Sequence, residues 1–214
     1  MRIDTIIFDM DGTLIDTEKY YRIFWPMALK EFGYEMTDEQ ALSMRSLGRP
    51  FAPARLREMF GSQLDYHAVR ERRKALMEER LDREGIGLKP GALELLSWLK
   101  SHGIRSAIAT ATDLQRTEKY LGGLGIRHYF DQVISAAMVK EGKPSPDVYL
   151  YACEQLDRRP WDCLAVEDSP NGVLSACRAG CRVVMVPDQT DAEPELERLL
   201  YAKVNRLDEI IELL

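Results

Sequence analysis

Apolar positions along the chain follow three successive patterns. Residues 6–8 form an apolar run, Ile-Ile-Phe, that ends at two aspartates and a glycine, which predicts a buried strand followed by a turn. From residue 16 to residue 85, apolar residues recur at helical spacing with no strand pattern between them. From residue 92 onward, amphipathic helical stretches alternate with short apolar runs. These patterns predict one strand, then a helical insertion, then an alternating α/β segment.

Four helices are predicted within the insertion, because glycine and proline separate four stretches of helical pattern. Their expected bounds are 18–32, 38–46, 52–60 and 65–84. Thr37 is the predicted N-cap of the second helix, with Gln40 three residues later. A return linker rich in Gly and Pro follows at residues 85–91. We therefore expect residues 16–85 to form a small four-helix domain inserted after the first strand.

The alternating segment predicts the main fold. Strands are expected at 104–110, 130–135, 163–166 and 182–186, with a short strand near residue 203. Helices are expected at 93–101, 113–121, 145–156, 170–179, 193–200 and 208–214. Such alternation predicts an α/β fold, a Rossmann-like doubly wound parallel sheet built from residues 1–15 and 86–214. Ligands of such sheets bind beyond the carboxyl ends of the strands, so the residues there form the candidate site.

Two carboxylates, Asp9 and Asp11, follow the first strand one residue apart. On a regular strand they would point to the same face. Buried carboxylates are costly unless they bind a metal or take part in catalysis. Gly12 permits a tight turn, and the amides after Asp9 can form a nest that binds an anion. This combination suits a phosphoryl group held against a metal ion.

Polar residues also follow two later predicted strands. Thr110 ends the strand at 104–110. Its hydroxyl and the backbone amides of Ala111 and Thr112 can donate to a phosphoryl oxygen. Glu167 and Asp168 follow the strand at 163–166 and precede a predicted helix, whose N-terminus favours carboxylates. Because the carboxyl ends of parallel strands meet at one edge of the sheet, we expect these residues to lie near the first aspartates.

The motif Asp-Met-Asp-Gly-Thr-Leu at residues 9–14 resembles the signature of the haloacid dehalogenase-like hydrolases. The continuation at 15–18 is similar to the branch that contains β-phosphoglucomutase and the phosphoglycolate phosphatases. Lys143 lies in a Gly-Lys-Pro-Ser-Pro loop that resembles the lysine motif of this family. The aspartate motif, Thr110, the Lys143 loop and the acidic pair at 167–168 match four family motifs. They occur in family order and span the chain. The resemblance implies a Rossmann-like core with a small α-helical cap.

The resemblance also implies catalytic roles. Asp9 would be the nucleophile that forms an aspartyl-phosphate, and Asp11 would be the general acid and base. Thr110 and Lys143 would bind the phosphoryl group, and Lys143 would also neutralise the nucleophile.

Mg²⁺ is the cofactor that the resemblance implies. Asp9 and Asp168 would supply carboxylates, Asp11 would supply its backbone carbonyl, and Glu167 would reach the ion through water. Mg²⁺ prefers such oxygen ligands and retains several waters.

The insertion corresponds to the family's cap, which closes over the site and contacts the leaving group. Candidate substrate contacts are residues near the entrance of the insertion and around its second turn. They are Thr17, Tyr20, Tyr21, Arg45, Gly48 and Arg49. Arg45 and Arg49 are the favoured specificity residues.

Three functions fit these residues. The favoured one is a phosphatase acting on a small metabolite, a sugar or polyol phosphate. The second is a phosphosugar mutase of the β-phosphoglucomutase type, although Tyr21, Leu47 and Thr13 stand where the mutase has histidine, lysine and valine. The third is a signalling receiver domain, which also forms an aspartyl-phosphate with Mg²⁺ but needs no inserted bundle.

Composition and charge limit the kinds of binding partner that we expect for this protein. The 214 residues carry a net charge of −6 with a pI of about 5.3, which argues against a nucleic-acid or anionic-membrane surface. No stretch approaches the ~20 apolar residues of a membrane span, and strand pattern begins where a signal peptide would lie. The four cysteines at 153, 163, 177 and 181 match no metal or redox spacing. We expect a cytoplasmic protein, a monomer or weak homodimer, whose partner is a small phosphorylated molecule.

Overall fold

A parallel six-stranded sheet forms the centre of the computed structural model, which describes residues 3–214. The strands are β1 Thr5–Phe8, β2 Arg105–Thr110, β3 Gln132–Ser135, β4 Cys163–Glu167, β5 Arg182–Met185 and β6 Ala202–Lys203. Their order is β3-β2-β1-β4-β5-β6. The chain reverses direction across the sheet after β3, so β1 lies between β2 and β4 at the switch point. This arrangement confirms the expected Rossmann-like α/β class.

Nine α-helices surround the sheet or lie within the insertion, counted over residues 3–214. They are α1 Glu18–Glu31, α2 Asp38–Ser43, α3 Phe51–Phe60, α4 Tyr66–Glu84, α5 Ala92–Ser101, α6 Leu114–Gly123, α7 Asp147–Gln155, α8 Pro170–Ala179 and α9 Pro194–Glu197. Short 3₁₀ helices lie at Arg127–Tyr129, Ala136–Met138, Pro160–Asp162 and Leu207–Leu213.

The strand sequences supply two hydrophobic layers, one on each face of the sheet. Along β1, Ile6 and Phe8 pack into one cluster with α5 and α6, while Ile7 packs into the other with α7 and α8. Successive side chains of a strand point to opposite faces, and both faces here are covered by helices. This explains why the strands read as continuous apolar runs rather than as alternating ones.

The helical insertion, residues 16–85, has a small cluster of its own but is not isolated from the sheet. Trp25, Leu29, Leu56 and Val69 belong to that cluster. Other positions of α1 and α4, such as Phe24, pack instead with the cluster over the sheet. The division into a cap at 16–85 and a core at 1–15 and 86–214 remains a prediction. Residues 1 and 2 lie outside the described part of the chain.

Two predicted terminal helices differ from the structure. The helix expected at 193–200 is only one turn long, Pro194–Glu197. The segment expected as an α-helix at 208–214 is a 3₁₀ helix, in which Leu207 and Ile210 are buried against α5. Their spacing of three residues matches the period of a 3₁₀ helix. The other predicted elements are present, with bounds that shift by at most three residues.

No helix within residues 3–214 is long and apolar enough to cross a membrane. All four cysteines are free thiols in the structure.

A capping box fixes the start of α2. The Gln40 amide donates to Thr37 Oγ1 at 3.2 Å, and the Thr37 amide donates to Gln40 Oε1 at 2.8 Å. We expect Thr37→Ala to lower the free energy of unfolding by about 0.5–2 kcal/mol, because one orphan amide loses its acceptor. Urea denaturation measures this change, with Thr37→Ser as the matched control. A Thr37→Ala protein as stable as wild type would contradict the prediction.

Candidate active site

The first aspartates lie in a turn rather than on the strand. β1 ends at Phe8, and the Asp9 amide donates to the carbonyl of Val166 at 2.9 Å. Gly12 has φ of +85°, a conformation that favours glycine. The expectation that Asp9 and Asp11 share a face of a regular strand is therefore wrong, although both carboxylates do reach one cavity. The turn brings them together, because Gly12 bends the chain back immediately.

Lys143 connects two strand ends. Its Nζ lies 2.5 Å from Asp9 Oδ1 and 2.6 Å from Glu167 Oε1, and its side chain is fully buried. Glu167 Oε1 also accepts a hydrogen bond from the Tyr149 hydroxyl at 2.6 Å. The loop before α7 thus delivers one ammonium group to the carboxyl ends of β1 and β4.

A buried acidic cluster could hold a divalent cation. Ligand oxygens of Asp9, Glu167 and Asp168 all lie within 4.8 Å of one another. Glu167 Oε2 is buried and has no hydrogen-bond partner within the described residues. A Cβ at Gly12 would lie 2.5 Å from Asp168 Oδ2, so glycine leaves the space that this carboxylate needs. Oxygen ligands of this kind fit Mg²⁺.

Charge in the site is unbalanced. Burial raises the pKa of four carboxyl groups, which are those of Asp9, Glu18, Glu167 and Asp168. Burial also disfavours the charged form of Lys143, but Asp9 and Glu167 raise the pKa of its ammonium group. Together with Asp11, five buried carboxyl groups lie in the site, and Lys143 and Arg45 are the two buried cations of residues 3–214 that form ion pairs with any of them. A bound divalent cation would offset this excess of negative charge.

Hydroxyl groups from both parts of the chain hold the Asp11 carboxylate. Thr17 Oγ1 of the insertion donates to Asp11 Oδ1 at 2.6 Å, and Thr112 Oγ1 after β2 donates to Oδ2 at 2.7 Å. Thr110 Oγ1 lies 3.5 Å from the same oxygen. The Tyr21 hydroxyl lies 3.1 Å from Thr112 Oγ1. These contacts orient the carboxylate toward the cavity in which a substrate would bind.

Arg45 of the insertion extends into the acidic cluster. Its Nη2 forms an ion pair with Asp168, and its Nε lies 3.5 Å from Glu18 Oε1. Burial disfavours the charged form of Arg45, but these two carboxylates raise the pKa of the guanidinium. The favoured specificity residue therefore neutralises acidic groups of the site and also lines the cavity.

Two glycines bring the insertion into direct backbone contact with the Lys143 loop. The Gly48 amide donates to the Lys143 carbonyl at 2.9 Å, and the Gly142 amide donates to the Arg49 carbonyl at 2.6 Å. A Cβ at Gly48 would lie only 2.5 Å from the Gly142 Cα. Gly48 thus connects the insertion to the Lys143 loop through backbone contacts.

Seven of the fourteen predicted site residues line one cavity between the sheet edge and the insertion. Those that line it are Asp9, Asp11, Tyr21, Arg45, Thr110, Ala111 and Thr112. The volume of this cavity is about 80 Å³. Arg49 is exposed and lines an adjoining groove instead. Tyr20 stacks on Phe24 in the hydrophobic cluster and is absent from the cavity wall.

Several site residues escaped the sequence interpretation. Glu18 lies in the motif at residues 15–18, which assigns it no role, and Tyr149 lies on α7 without a motif of its own. Arg73 is the informative case, because α4 buries Val69, Arg73 and Met77 at a spacing of four. A charged residue within an apolar stripe was the signal that could have identified it.

Comparisons with known proteins identify the family of this chain. Residues 6–186 match the family model described as haloacid dehalogenase-like hydrolase. Fructose-1-phosphate phosphatase YqaB of Escherichia coli is 34% identical over 85% of this chain and 95% of its own. Hexitol phosphatase A of Escherichia coli is 32% identical over 94% and 92%. A solved β-phosphoglucomutase from Clostridium difficile shares the fold at 23% identity, with a TM-score of 0.82 over 97% of this chain and 93% of its own.

The match over residues 6–186 and the identity to these relatives show that the chain belongs to the haloacid dehalogenase-like hydrolases. The enzyme class expected from the sequence, a phosphatase of this family, is confirmed by these relatives.

The glycine contact generates a prediction. We expect Gly48→Ala to lower kcat/KM on the order of 10²-fold, because the added methyl would push the insertion away from the Lys143 loop. Steady-state kinetics on the preferred substrate measure the loss. Gly122→Ala is the matched control, since a Cβ there meets no atom within 4 Å. Equal activity of the two variants would show that the contact does not position the site.

Proposed function

We propose that this protein is a Mg²⁺-dependent phosphatase that hydrolyses a sugar or polyol phosphate through an aspartyl-phosphate on Asp9. The observation that carries the proposal is the buried Lys143 ammonium between Asp9 and Glu167, because Asp9 also lines a cavity together with Asp11. The named activities of the relatives, on fructose 1-phosphate and hexitol phosphates, support this substrate class.

In the first half-reaction, Asp9 attacks phosphorus. The new bond joins its carboxylate oxygen to phosphorus, while the bond from phosphorus to the ester oxygen breaks. The departing oxygen takes a proton from Asp11, which Thr17 and Thr112 orient. Lys143 reduces the repulsion between the nucleophile and the incoming phosphoryl group, and Thr110 donates to that group.

In the second half-reaction, Asp11 accepts a proton from a water molecule. The hydroxide attacks phosphorus, the bond to Asp9 breaks, and inorganic phosphate leaves. One residue serves as acid and then as base, because its protonation state alternates between the two steps.

The metal would be held by the carboxylates of Asp9 and Asp168 and by the Asp11 carbonyl, with Glu167 acting through water. When bound, Mg²⁺ supplies positive charge that offsets the buried carboxylates and the phosphate.

Hydrolysis is favoured over the mutase reaction. Leu47 presents an apolar side chain to the cavity, and the Tyr21 hydroxyl is already bonded to Thr112. Neither residue offers the lysine or histidine of the mutase. Membership of the family argues against a receiver domain.

Substrate turnover tests the proposal. We expect phosphate release from fructose 1-phosphate or hexitol phosphates, and free phosphate rather than glucose 6-phosphate from β-glucose 1-phosphate. Asp9→Asn should show no release above background, because the amide cannot act as nucleophile. Asp16→Asn is the control, since Asp16 pairs with Lys19 near the surface. An active Asp9→Asn protein, free of deamidation by mass spectrometry, would rule out this nucleophile.

Metal removal gives a separate test. We expect EDTA to abolish phosphate release and added Mg²⁺ to restore it, because the carboxylate excess otherwise repels the phosphate. A phosphate assay before and after dialysis measures both steps. Full activity after exhaustive chelation would remove the metal from the mechanism.

A further inference from the structure

Two buried guanidinium groups lie in the wall of the cavity that Asp9 and Asp11 also line. Arg73 comes from α4 of the insertion and is 5% exposed, while Arg116 comes from α6 of the core and is 9% exposed. None of the roles argued above for the reaction at phosphorus uses either side chain. Arginine is almost never buried without a partner, so both groups require an explanation.

Neither guanidinium forms an ion pair with a carboxylate of residues 3–214. Arg73 Nε is buried and has no hydrogen-bond acceptor there. Arg116 Nη2 donates to the neutral Tyr120 hydroxyl at 2.7 Å and lies 3.6 Å from Met77 Sδ. By contrast, Arg70, which also lines this cavity, pairs with Glu71 at 2.8 Å.

Aromatic contacts account for only part of the Arg73 environment. The guanidinium carbon lies 4.6 Å from the centre of the Tyr21 ring and 4.7 Å from that of Trp25. Such contacts stabilise a cation through ring faces but do not provide an acceptor for its N–H groups. Burial lowers the pKa of Arg73, and the nearby charges of Arg116 and Arg70 lower it further. An anion at this position would relieve both effects.

We propose that the recess formed by Arg73 and Arg116 binds a second anionic group, carried by the leaving alcohol of the substrate. The proposal rests on the proposed function, in which Asp9 receives the first phosphoryl group. The second group is a phosphate or a carboxylate, because a planar guanidinium binds either through paired hydrogen bonds. The preferred substrates are therefore phosphorylated sugars or polyols with an additional negative charge.

Wild-type kinetics provide the first test, using two substrate pairs. Fructose 1,6-bisphosphate against fructose 1-phosphate tests a second phosphate, and 6-phosphogluconate against sorbitol 6-phosphate tests a carboxylate. In at least one pair, we expect kcat/KM to be about 10- to 100-fold higher for the compound that carries the second anionic group, mainly because its KM is lower. No preference in either pair would overturn the proposal.

Variants on α4 identify the residue responsible. Arg73→Met should reduce the preference ratio within the favoured pair about 10- to 100-fold. Arg72→Met is the matched control on the next position, where an exposed arginine pairs with Glu31, and its ratio should stay at the wild-type value. An unchanged ratio in Arg73→Met would overturn the proposal. If Arg73→Met fails to fold by circular dichroism, Arg73→Gln replaces it, because the amide also removes the positive charge, and an unchanged ratio there has the same meaning.

Binding without turnover separates this proposal from the proposed function. Calorimetric titration of the four compounds into Asp9→Asn reports affinity alone. In the favoured pair, the compound that carries the second anionic group should bind more tightly. Absence of turnover by the wild type, together with that preference in binding, would reject the phosphatase but retain the anion recess. Equal affinities within both pairs would reject the recess.

Discussion

Five carboxyl groups are buried at one edge of the sheet, and the ammonium of Lys143 is the contact that makes this arrangement tolerable. Parallel strands bring Asp9 and Glu167 side by side, because β1 and β4 are neighbours. Without a cation between them, two carboxylates in a medium of low dielectric constant would repel each other strongly. The Lys143 loop, the Tyr149 hydroxyl and the close approach of the insertion all surround this single group.

The residues at strand ends were the most predictable part of the site. Asp9 and Asp168 follow strands β1 and β4, Thr110 is the last residue of β2, and the topology of a doubly wound sheet brings the ends of these strands together. Lys143 could be predicted only from its motif, since no periodicity marks it. The class of fold was predictable for a related reason, because helix and strand patterns alternate cleanly after residue 92.

Tertiary packing decided what the sequence could not reveal. Arg45 and Arg49 are both arginines beside the same turn, yet one is buried against Asp168 and the other is exposed. Tyr20 and Tyr21 are adjacent, yet one packs in the hydrophobic cluster and the other reaches Thr112. Arg45 and Arg49 lie in the turn between α2 and α3, whereas a rotation of 100° per residue separates Tyr20 from Tyr21 on α1. In both pairs the position of the insertion determines which residue faces the cavity.

The contact between Gly48 and Gly142 has a consequence for how such a protein can diverge. Because the two backbones touch at these glycines, neither position has room for a larger side chain, and substitutions cannot change this contact gradually. The walls on α4 and α6, where Arg73 and Arg116 lie, are not constrained in this way. Selection for a new substrate would therefore change the cavity walls while the backbone contact between Gly48 and Gly142 stays constant. Such a fixed contact beside a variable cavity wall allows one reaction at phosphorus to be used with many leaving alcohols.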